Sequence, residues 1–383
     1  MRIITMLLHD ERFSGWSLDE KLSRFHFSKQ YLEFCKGFGW EPYLYCFHES
    51  VDEKKVYDVE GHGVIKVFPV SFRLPPFVGF GNDHSPKFIL NELRKDGPDL
   101  IHFHNYYLYS FSYLAPLIKK RLNCPLTTQL HGYHQNWLRR MPYISCLLQL
   151  KLIDAVFYSY RPEETVYRKL GVLEKAVKIP MPSVDPQRFK PDQRRKNENL
   201  LYVGRLPERL DAYADKSPAL ILFILKKLLR FRDVKLIIVG DGRGLSYYRE
   251  LASRLGIEDN VEFTGYLPRS EIPKFYQEAG LTFVPLKLYD VDGFFDGSIQ
   301  ESLACETPVA CFKSSLDTPF EGTFGFLLSP SLDRAPEELS KIFDDLDAHY
   351  DVAKKGAAFV HTYCTEERLK RILRNEWEGI LRR

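Results

Sequence analysis

Short apolar, β-branched runs alternate with helical patterns along most of this 383-residue chain. In the first half, the predicted strands are 2–8, 41–48, 64–69, 99–104, 125–130, 154–159 and 176–180. In the second half, the predicted strands are 200–203, 234–239, 261–264, 281–285 and 308–312, and the predicted helices are 218–229, 245–255, 271–279 and 299–304. This alternation predicts two α/β units, each with a parallel sheet covered by helices.

A proline-bearing, strongly charged stretch at 181–199 separates the two halves and is typical of a linker. We therefore expect two Rossmann-like domains, an N-terminal one at 1–191 and a C-terminal one at 192–364. A closing helix at 365–383 should pack back toward the first domain. In the first domain, the capping box Ser17-x-x-Glu20 predicts one helix that ends near Gly37. Open α/β sheets bind ligands beyond the carboxyl ends of their strands, so a cleft is the expected active site.

Composition excludes several classes of protein. The formal net charge of +3 is too small to indicate a nucleic-acid partner. The seven cysteines are scattered without a C-x-x-C pair, which indicates neither a disulfide framework nor a zinc site. No apolar stretch approaches the roughly 18 residues of a membrane-spanning helix. We expect a cytoplasmic protein, with the inner face of the membrane as an alternative location.

Basic residues at a strand end and a helix start predict an anion site. Gly204-Arg205 follows the strand 200–203, and Lys216-Ser217-Pro218 opens the next helix. Ser217 suits the N-cap and Pro218 suits the first helical position, so Lys216 would lie beside free backbone N–H groups. This arrangement suits a diphosphate. The alternative is that both side chains are simply solvated on a connecting loop.

Two glycine-bearing loops carry less specific signals. The turn 240–244 contains three glycines but lacks Rossmann G-x-G-x-x-G spacing, so it favours a purely structural turn. The acidic loop 289–297 leads into the helix that contains Glu301, and its carboxylates could bind sugar and ribose hydroxyls. Alternatively, Ser298-x-x-Glu301 is a capping box that would occupy Glu301 at its own helix start.

Histidines end two predicted strands of the first domain. His102 and His104 lie on one strand, and His131 ends the next one. Two histidines on one strand face without a third ligand do not favour a metal site, so we predict no metal. His131 is the candidate for hydrogen bonding in catalysis, with satisfaction in a polar core as the alternative. His104 and Asn105, at the end of the preceding strand, are further site candidates.

Several segments resemble, in order along the chain, the retaining glycosyltransferases of family four. The most similar segments are residues 202–206, 216–218, 239–242, 260–268 and 301–309, and the more divergent ones are 98–105, 130–132 and 179–191. The resemblance implies the GT-B fold, in which two Rossmann-like domains with parallel sheets face each other across a cleft. It also implies that residues 1–191 form the acceptor-binding domain, with His104 and Asn105 as acceptor-side candidates, and that residues 192–364 form the donor-binding domain.

The resemblance also implies roles for individual residues. Gly204, Arg205 and Lys216 would bind the donor diphosphate, Glu301 the ribose diol, and His131 the donor sugar near the reacting carbon. The nucleobase would lie against Gly265, Tyr266 and Leu267. The donor-sugar loop would comprise Gly293, Phe294, Phe295, Gly297 and Ser298. The family's first glutamate falls on Gly293, so Asp292 or Asp296 would replace it, and Glu306 stands where the family usually has glycine.

We therefore predict a metal-independent, retaining hexosyltransferase. Its donor would be a nucleotide diphosphate sugar such as a UDP- or GDP-sugar, used as a substrate without any cofactor, and its acceptor a glycan, lipid or small molecule. The alternatives are a GT-B nucleotide-sugar epimerase or phosphorylase, or a non-catalytic two-lobed sugar-binding protein. The basic and aromatic segment 133–151 favours a buried helix with a solvated start, and peripheral membrane contact is its alternative.

Overall fold

A computed structural model describes residues 1–8, 17–24, 27–70, 72–73, 82–83, 86–106, 109–131, 141–159, 161–180, 183–192, 197–207, 218–287, 296–313 and 324–383. The chain forms two compact units. Residues 1–181 and 370–383 make up the first unit, and residues 182–369 make up the second. Among the helices that this structure describes, none is long and apolar enough to cross a membrane.

The first unit is built on an eight-stranded sheet with the order β10-β9-β8-β7-β1-β2-β4-β3. Its strands are β1 (Arg2–Leu7), β2 (Glu41–His48), β3 (Lys55–Val59), β4 (Gly63–Pro69), β7 (Leu100–His104), β8 (Leu126–Gln129), β9 (Ala155–Tyr158) and β10 (Ala176–Lys178), with β5 (Phe72–Arg73) and β6 (Asn82–Asp83) as a separate pair. Its helices are α1 (Leu18–Ser23), α2 (Phe27–Gly37), α3 (Pro86–Asp96), α4 (Tyr109–Leu122), α5 (Met141–Gln149) and α6 (Arg161–Leu170). Within the eight-stranded sheet, neighbouring strands are parallel except that the edge strand β3 pairs antiparallel with β4, and β5 pairs antiparallel with β6.

The second unit is built on a six-stranded parallel sheet with the order β13-β12-β11-β14-β15-β16. Its strands are β11 (Leu200–Val203), β12 (Leu236–Val239), β13 (Val261–Gly265), β14 (Leu281–Lys287), β15 (Val309–Phe312) and β16 (Phe326–Leu328). Its helices are α7 (Pro218–Leu228), α8 (Leu245–Leu255), α9 (Ile272–Glu278), α10 (Gly297–Ala304), α11 (Arg334–Asp344) and α12 (Leu346–Tyr363). The predicted fold class, α/β with two parallel-sheet units, is confirmed.

The last helix, α13 (Glu366–Leu381), starts in the second unit and continues in the first. Leu369, Leu373 and Trp377 are fully buried and lie along one side of it. The Trp377 Nε1–H donates a hydrogen bond to Thr127 Oγ1 in β8 at 3.2 Å, so this helix is anchored to the first sheet.

Two local boundaries differ from the sequence prediction. The single helix predicted from Ser17 to Gly37 is two helices, because Arg24 is extended at the end of α1 (φ −74°, ψ 151°), although the Ser17–Glu20 capping box forms as predicted. The described part of the stretch predicted as a linker, residues 183–192 and 197–199, belongs to the second unit. Val184 pairs with Thr365, and Phe189 is buried against the Tyr276 ring.

Both sheets have a point at which the strand order reverses. In the first sheet the chain runs outward from β1 through β2 to β4, and the later strands continue on the other side from β7. In the second sheet the corresponding point lies between β11 and β14. Parallel α/β sheets bind ligands at the carboxyl ends of strands beside such a point. The predicted site residues follow β7, β8, β11 and β13 or lie near the start of α10.

Candidate functional site

In the second unit, close backbone packing shapes the ends of β11 and β12. A Cβ atom on Gly240 would lie 1.9 Å from the carbonyl oxygen of Gly204, and one on Gly242 would lie 2.3 Å from that of Leu206. Both glycines also have positive φ angles, 147° and 155°. The glycine-rich turn 240–244 is therefore structural, as its spacing favoured, since only glycine lets the segment 204–207 approach this closely.

The predicted diphosphate site is described only in part. Arg205 lies on the surface directly after β11, next to the half-buried Gly204. The phenol of Tyr202 is within electrostatic range of both Arg205 and Asp296, and burial raises its pKa. The end of β11 therefore lies near the start of α10. Lys216 lies outside the described residues.

Asp296, not Ser298, is the N-cap of α10. Its Oδ1 accepts hydrogen bonds from the backbone N–H of Ser298 at 3.1 Å and from the Ser298 hydroxyl at 2.7 Å. The predicted Ser298–Glu301 capping box is therefore wrong, because the cap lies two residues earlier and Gly297 and Ser298 are already helical. Asp296, an alternative for the family's first glutamate, has this oxygen engaged in capping.

The Glu301 carboxylate does not cap α10 and lies in a buried polar cluster. Its Oε2 accepts a hydrogen bond from the Tyr276 hydroxyl at 3.2 Å, and its Oε1 lies 3.4 Å from Arg269 Nη2. Only 15% of the side chain is exposed. Burial raises the pKa of Glu301, while Arg269 and Tyr276 oppose that rise. A carboxylate accepts about four hydrogen bonds, so Glu301 keeps capacity for hydroxyl donors of a ligand.

The predicted nucleobase segment follows β13. Gly265 has a positive φ of 74°, and its carbonyl oxygen accepts a hydrogen bond from Gly240 N–H at 3.1 Å. Tyr266 is 43% exposed, and Leu267 is half-buried. This bridge fixes the backbone where the segment leaves the sheet. The other donor-side candidates, Asp292, Gly293, Phe294 and Phe295, lie outside the described residues.

In the first unit, the candidate histidines meet at the carboxyl ends of β7 and β8. His104 Nδ1 lies 2.9 Å from His131 Nε2, and Asn105 Oδ1 accepts a hydrogen bond from the His131 backbone N–H at 2.8 Å. Asn105 adopts a left-handed conformation with φ 67°, which asparagine tolerates better than most residues. The sequence therefore located this cluster, and the structure adds that His104 contacts His131 directly.

Neighbouring side chains orient the His131 ring. The Tyr31 hydroxyl donates a hydrogen bond to Gln129 Oε1, which directs the amide nitrogen of Gln129 toward His131 Nδ1 at 3.5 Å. The amide can only donate, so Nδ1 accepts and Nε2 carries the proton toward His104. Tyr31 and Gln129 are residues that the sequence analysis missed, because nothing in the helix containing Tyr31 distinguishes it from core tyrosines.

His102 has a separate, structural environment. Its Nδ1 lies 2.9 Å from Thr127 Oγ1, and its ring stacks on Tyr31 with centroids 5.1 Å apart. Burial lowers the pKa of His102 to about 3, so the ring is neutral at physiological pH. Within the described residues, no group of three histidine, cysteine or acidic side chains is placed to hold a metal ion.

Two family models match adjoining parts of the chain. The model described as "Glycosyltransferase Family 4" matches residues 32–188, and "Glycosyl transferases group 1" matches residues 183–317. Among curated proteins, a GDP-mannose-dependent alpha-(1-6)-phosphatidylinositol monomannoside mannosyltransferase of Mycolicibacterium smegmatis is 26% identical over 55% of this chain and 59% of its own length. For five curated relatives, the shared segment spans from 21% to 67% of the relative's length.

Solved structures of glycosyltransferases share the fold over nearly the whole chain. Sucrose-phosphate synthase of Thermosynechococcus elongatus superposes with a TM-score of 0.73 and 15% identity, covering 100% of this chain and 99% of that one. HepE of Anabaena, solved with UDP-glucose, superposes with a TM-score of 0.65 and 16% identity, covering 99% of each chain. At such low identity the likeness establishes the fold alone.

Proposed function

We propose that this chain, which belongs to the family 4 glycosyltransferases and has the GT-B fold, is a hexosyltransferase. It would transfer a hexose-type sugar from a nucleotide diphosphate sugar to an acceptor, with retention of configuration and without a metal. The observation that carries the proposal is Glu301. It is a carboxylate held in a buried cluster, not used as a helix cap, and suited to accept hydrogen bonds from the two hydroxyls of a ribose.

The remaining donor contacts follow from this placement. Arg205 at the end of β11, with Lys216 beyond the described residues, would neutralise the diphosphate and stabilise it as it leaves. Either Asp292 or Asp296 would hold the donor sugar. UDP-glucose and GDP-mannose are the first donors to test, because HepE is solved with the former and the mycobacterial relative is named for its dependence on the latter.

His131 would assist the transfer without serving as a base. Its Nε2 is directed at His104 and its Nδ1 at Gln129, so both ring nitrogens are already occupied by protein groups. A ring held this way can present a fixed dipole toward the donor sugar. We therefore propose that His104, an acceptor-side candidate from the sequence, acts by orienting His131.

We also propose that the acceptor is presented at a membrane surface. Ile144 and Leu148 of α5, and Leu152 just after it, are spaced four residues apart and are 46%, 51% and 40% exposed. The sequence just before α5 contains Arg139 and Arg140. An apolar stripe beside basic residues suits shallow insertion among anionic headgroups. Cys146 and Leu150 of the same segment are fully buried, so the buried helix with a solvated start that the sequence favoured is borne out on one side of the segment and not at the exposed stripe.

The variant Glu301→Gln tests the central proposal. Gln keeps the size of Glu301 and its hydrogen bond from Tyr276 but accepts the ribose hydroxyls less strongly, so donor binding should weaken by about 1 to 3 kcal/mol. Because burial raises the pKa of Glu301, its ionised form costs the folded state stability at neutral pH. The neutral variant should therefore keep or raise the melting temperature.

The measurements are calorimetric titration of UDP-glucose and GDP-mannose, and thermal unfolding. Glu250→Gln is the control, since Glu250 pairs only at the surface with Arg254 in the same unit. Unchanged donor affinity in Glu301→Gln would remove the ribose assignment. Weaker binding together with a lower melting temperature would instead indicate a structural role for Glu301.

A further inference from the structure

Arg269, in the segment between β13 and α9, lies between two carboxylates. Its Nη2 is 3.4 Å from Glu301 Oε1 and 3.9 Å from Glu366 Oε1. The three side chains are similarly shielded, with 15%, 15% and 17% of their surfaces exposed. One guanidinium is therefore shared by Glu301, the proposed ribose ligand, and by the first residue of α13.

An aromatic pair holds Arg269 in this position. The Arg269 guanidinium lies over the ring of the fully buried Phe189, 5.5 Å from its centroid. The same ring packs against Tyr276 with centroids 6.2 Å apart. Tyr276 in turn donates its hydroxyl hydrogen bond to Glu301. The two groups that hold Glu301 are thus fixed by a common partner.

The charge balance of this cluster controls the Glu301 carboxylate. Burial is the main factor that raises the pKa of Glu301, and Asp296 raises it further. Arg269, the Tyr276 hydroxyl and Arg188 lower it. Glu366 lies against Arg269 and competes with Glu301 for the same nitrogen atom. Removing Arg269 and removing Glu366 should therefore change the ionisation of Glu301 in opposite directions.

We infer that Arg269 is a positioning residue for donor recognition: it orients the Glu301 carboxylate and keeps it ionised, and Glu366 limits this effect by sharing Arg269. The inference rests on the proposed ribose role of Glu301. Arg269 itself touches no substrate in this account. It acts by presenting the acceptor oxygens of Glu301 in a fixed direction.

The test is the pH dependence of donor affinity in three variants. Affinities for UDP-glucose and GDP-mannose are measured from pH 4.5 to 8, a range in which the diphosphate of a nucleotide sugar stays ionised. Affinity should fall as Glu301 becomes protonated. Arg269→Gln should weaken binding about tenfold at neutral pH and shift the midpoint of the fall upward by about one pH unit. Glu366→Gln should shift that midpoint downward, and Arg269→Lys should restore part of the loss.

Arg254→Gln is the matched control, because Arg254 forms an Arg–Glu ion pair with Glu250 on the exposed face of α8. It should leave affinity and midpoint unchanged. If Arg269 and Glu366 had a merely structural role, both Arg269→Gln and Glu366→Gln would lower the melting temperature. Their midpoints would then shift in the same direction or not at all, and either of these midpoint results would overturn the inference. If the wild-type protein binds neither nucleotide sugar, the proposed function fails, and the inference fails with it.

Discussion

Glu306 adopts a left-handed backbone conformation with φ 53°. Family 4 glycosyltransferases usually have glycine at this position. Glu306 follows α10 in a Schellman motif, in which Glu306 N–H bonds to Leu303 O and Thr307 N–H to Ser302 O. Glycine is favoured at this position because a Cβ atom is strained there. The sequence identified the departure from the family, and the structure shows that its consequence is local backbone strain.

Replacing Glu306 with glycine should therefore stabilise the protein. Glycine relieves the left-handed strain, but it also loses more backbone entropy on folding than glutamate does. The net gain in the free energy of unfolding should be about 1 kcal/mol. Chemical denaturation monitored by circular dichroism measures it. The reciprocal control is Gly256→Glu, since Gly256 ends α8 in the same motif with φ 64°, and an added Cβ atom would make only an ordinary contact, 3.9 Å from Lys226 Nζ. This change should cost a similar amount. A loss of stability in Glu306→Gly would show that the Glu306 side chain makes a contact of greater value.

At the scale of single elements, sequence reasoning located helices better than their caps. The predicted helix 299–304 corresponds to α10. Asp296 and Ser298 are both good capping residues and lie two positions apart, and Asp296 forms the cap. Nothing in the local sequence decides between them. Nor could sequence indicate that Arg269 meets Glu366, because the two residues are brought together only by the packing of α13 against the segment before α9.

The helix α13 is held to the first unit by Trp377. Trp377 is fully buried, and its ring lies 6.1 Å from those of Tyr31 and Trp40. Trp377→Ala should lower the free energy of unfolding by about 3 to 5 kcal/mol, the cost of a large core cavity. It also leaves Thr127 Oγ1 without the indole donor, while Trp377→Phe should cost less. Denaturant titration measures these changes.

Asn375→Ala serves as the control on the exposed side of α13 and should stay within about 0.5 kcal/mol of the wild type. A Trp377→Ala loss no larger than that of the control would mean that α13 does not stabilise the first unit.

At the scale of the whole molecule, most strands follow the predicted runs because parallel strands are buried on both faces and read as continuous apolar segments. Glu41–His48 and Leu200–Val203 have the predicted bounds. The edge strand β3 was missed, because Lys55, Val56 and Glu60 in and beside it are exposed, so the strand does not form a continuous apolar run.

The residues of the candidate site were likewise predicted only in part. Residues at strand ends were found, whereas Tyr31, Gln129 and Arg269 join through side-chain contacts that no local pattern predicts.

The proposed reaction assigns separate tasks to the candidate residues. Glu301 and Arg205 would fix the ribose and diphosphate of the donor, and His131 would assist at the donor sugar. The candidate carboxylates have other proposed roles, since Glu301 would hold the ribose, Asp296 caps α10, and Asp292 or Asp296 would hold the donor sugar. Retention then requires same-face attack through an oxocarbenium-like state, with the departing diphosphate accepting the proton of the acceptor.

The anomeric configuration of the first-formed product is the sharpest test of the proposed same-face transfer. The reaction is run with an α-linked donor, UDP-glucose or GDP-mannose, an acceptor found by screening lipids and sugars, and excess EDTA, and the product is followed by NMR from the earliest turnovers. We expect an α-linked product at a rate that EDTA does not diminish, and the same configuration at a lower rate in His131→Ala. A β-linked first product would contradict same-face transfer, and loss of product that magnesium or manganese restores would contradict the metal-free site.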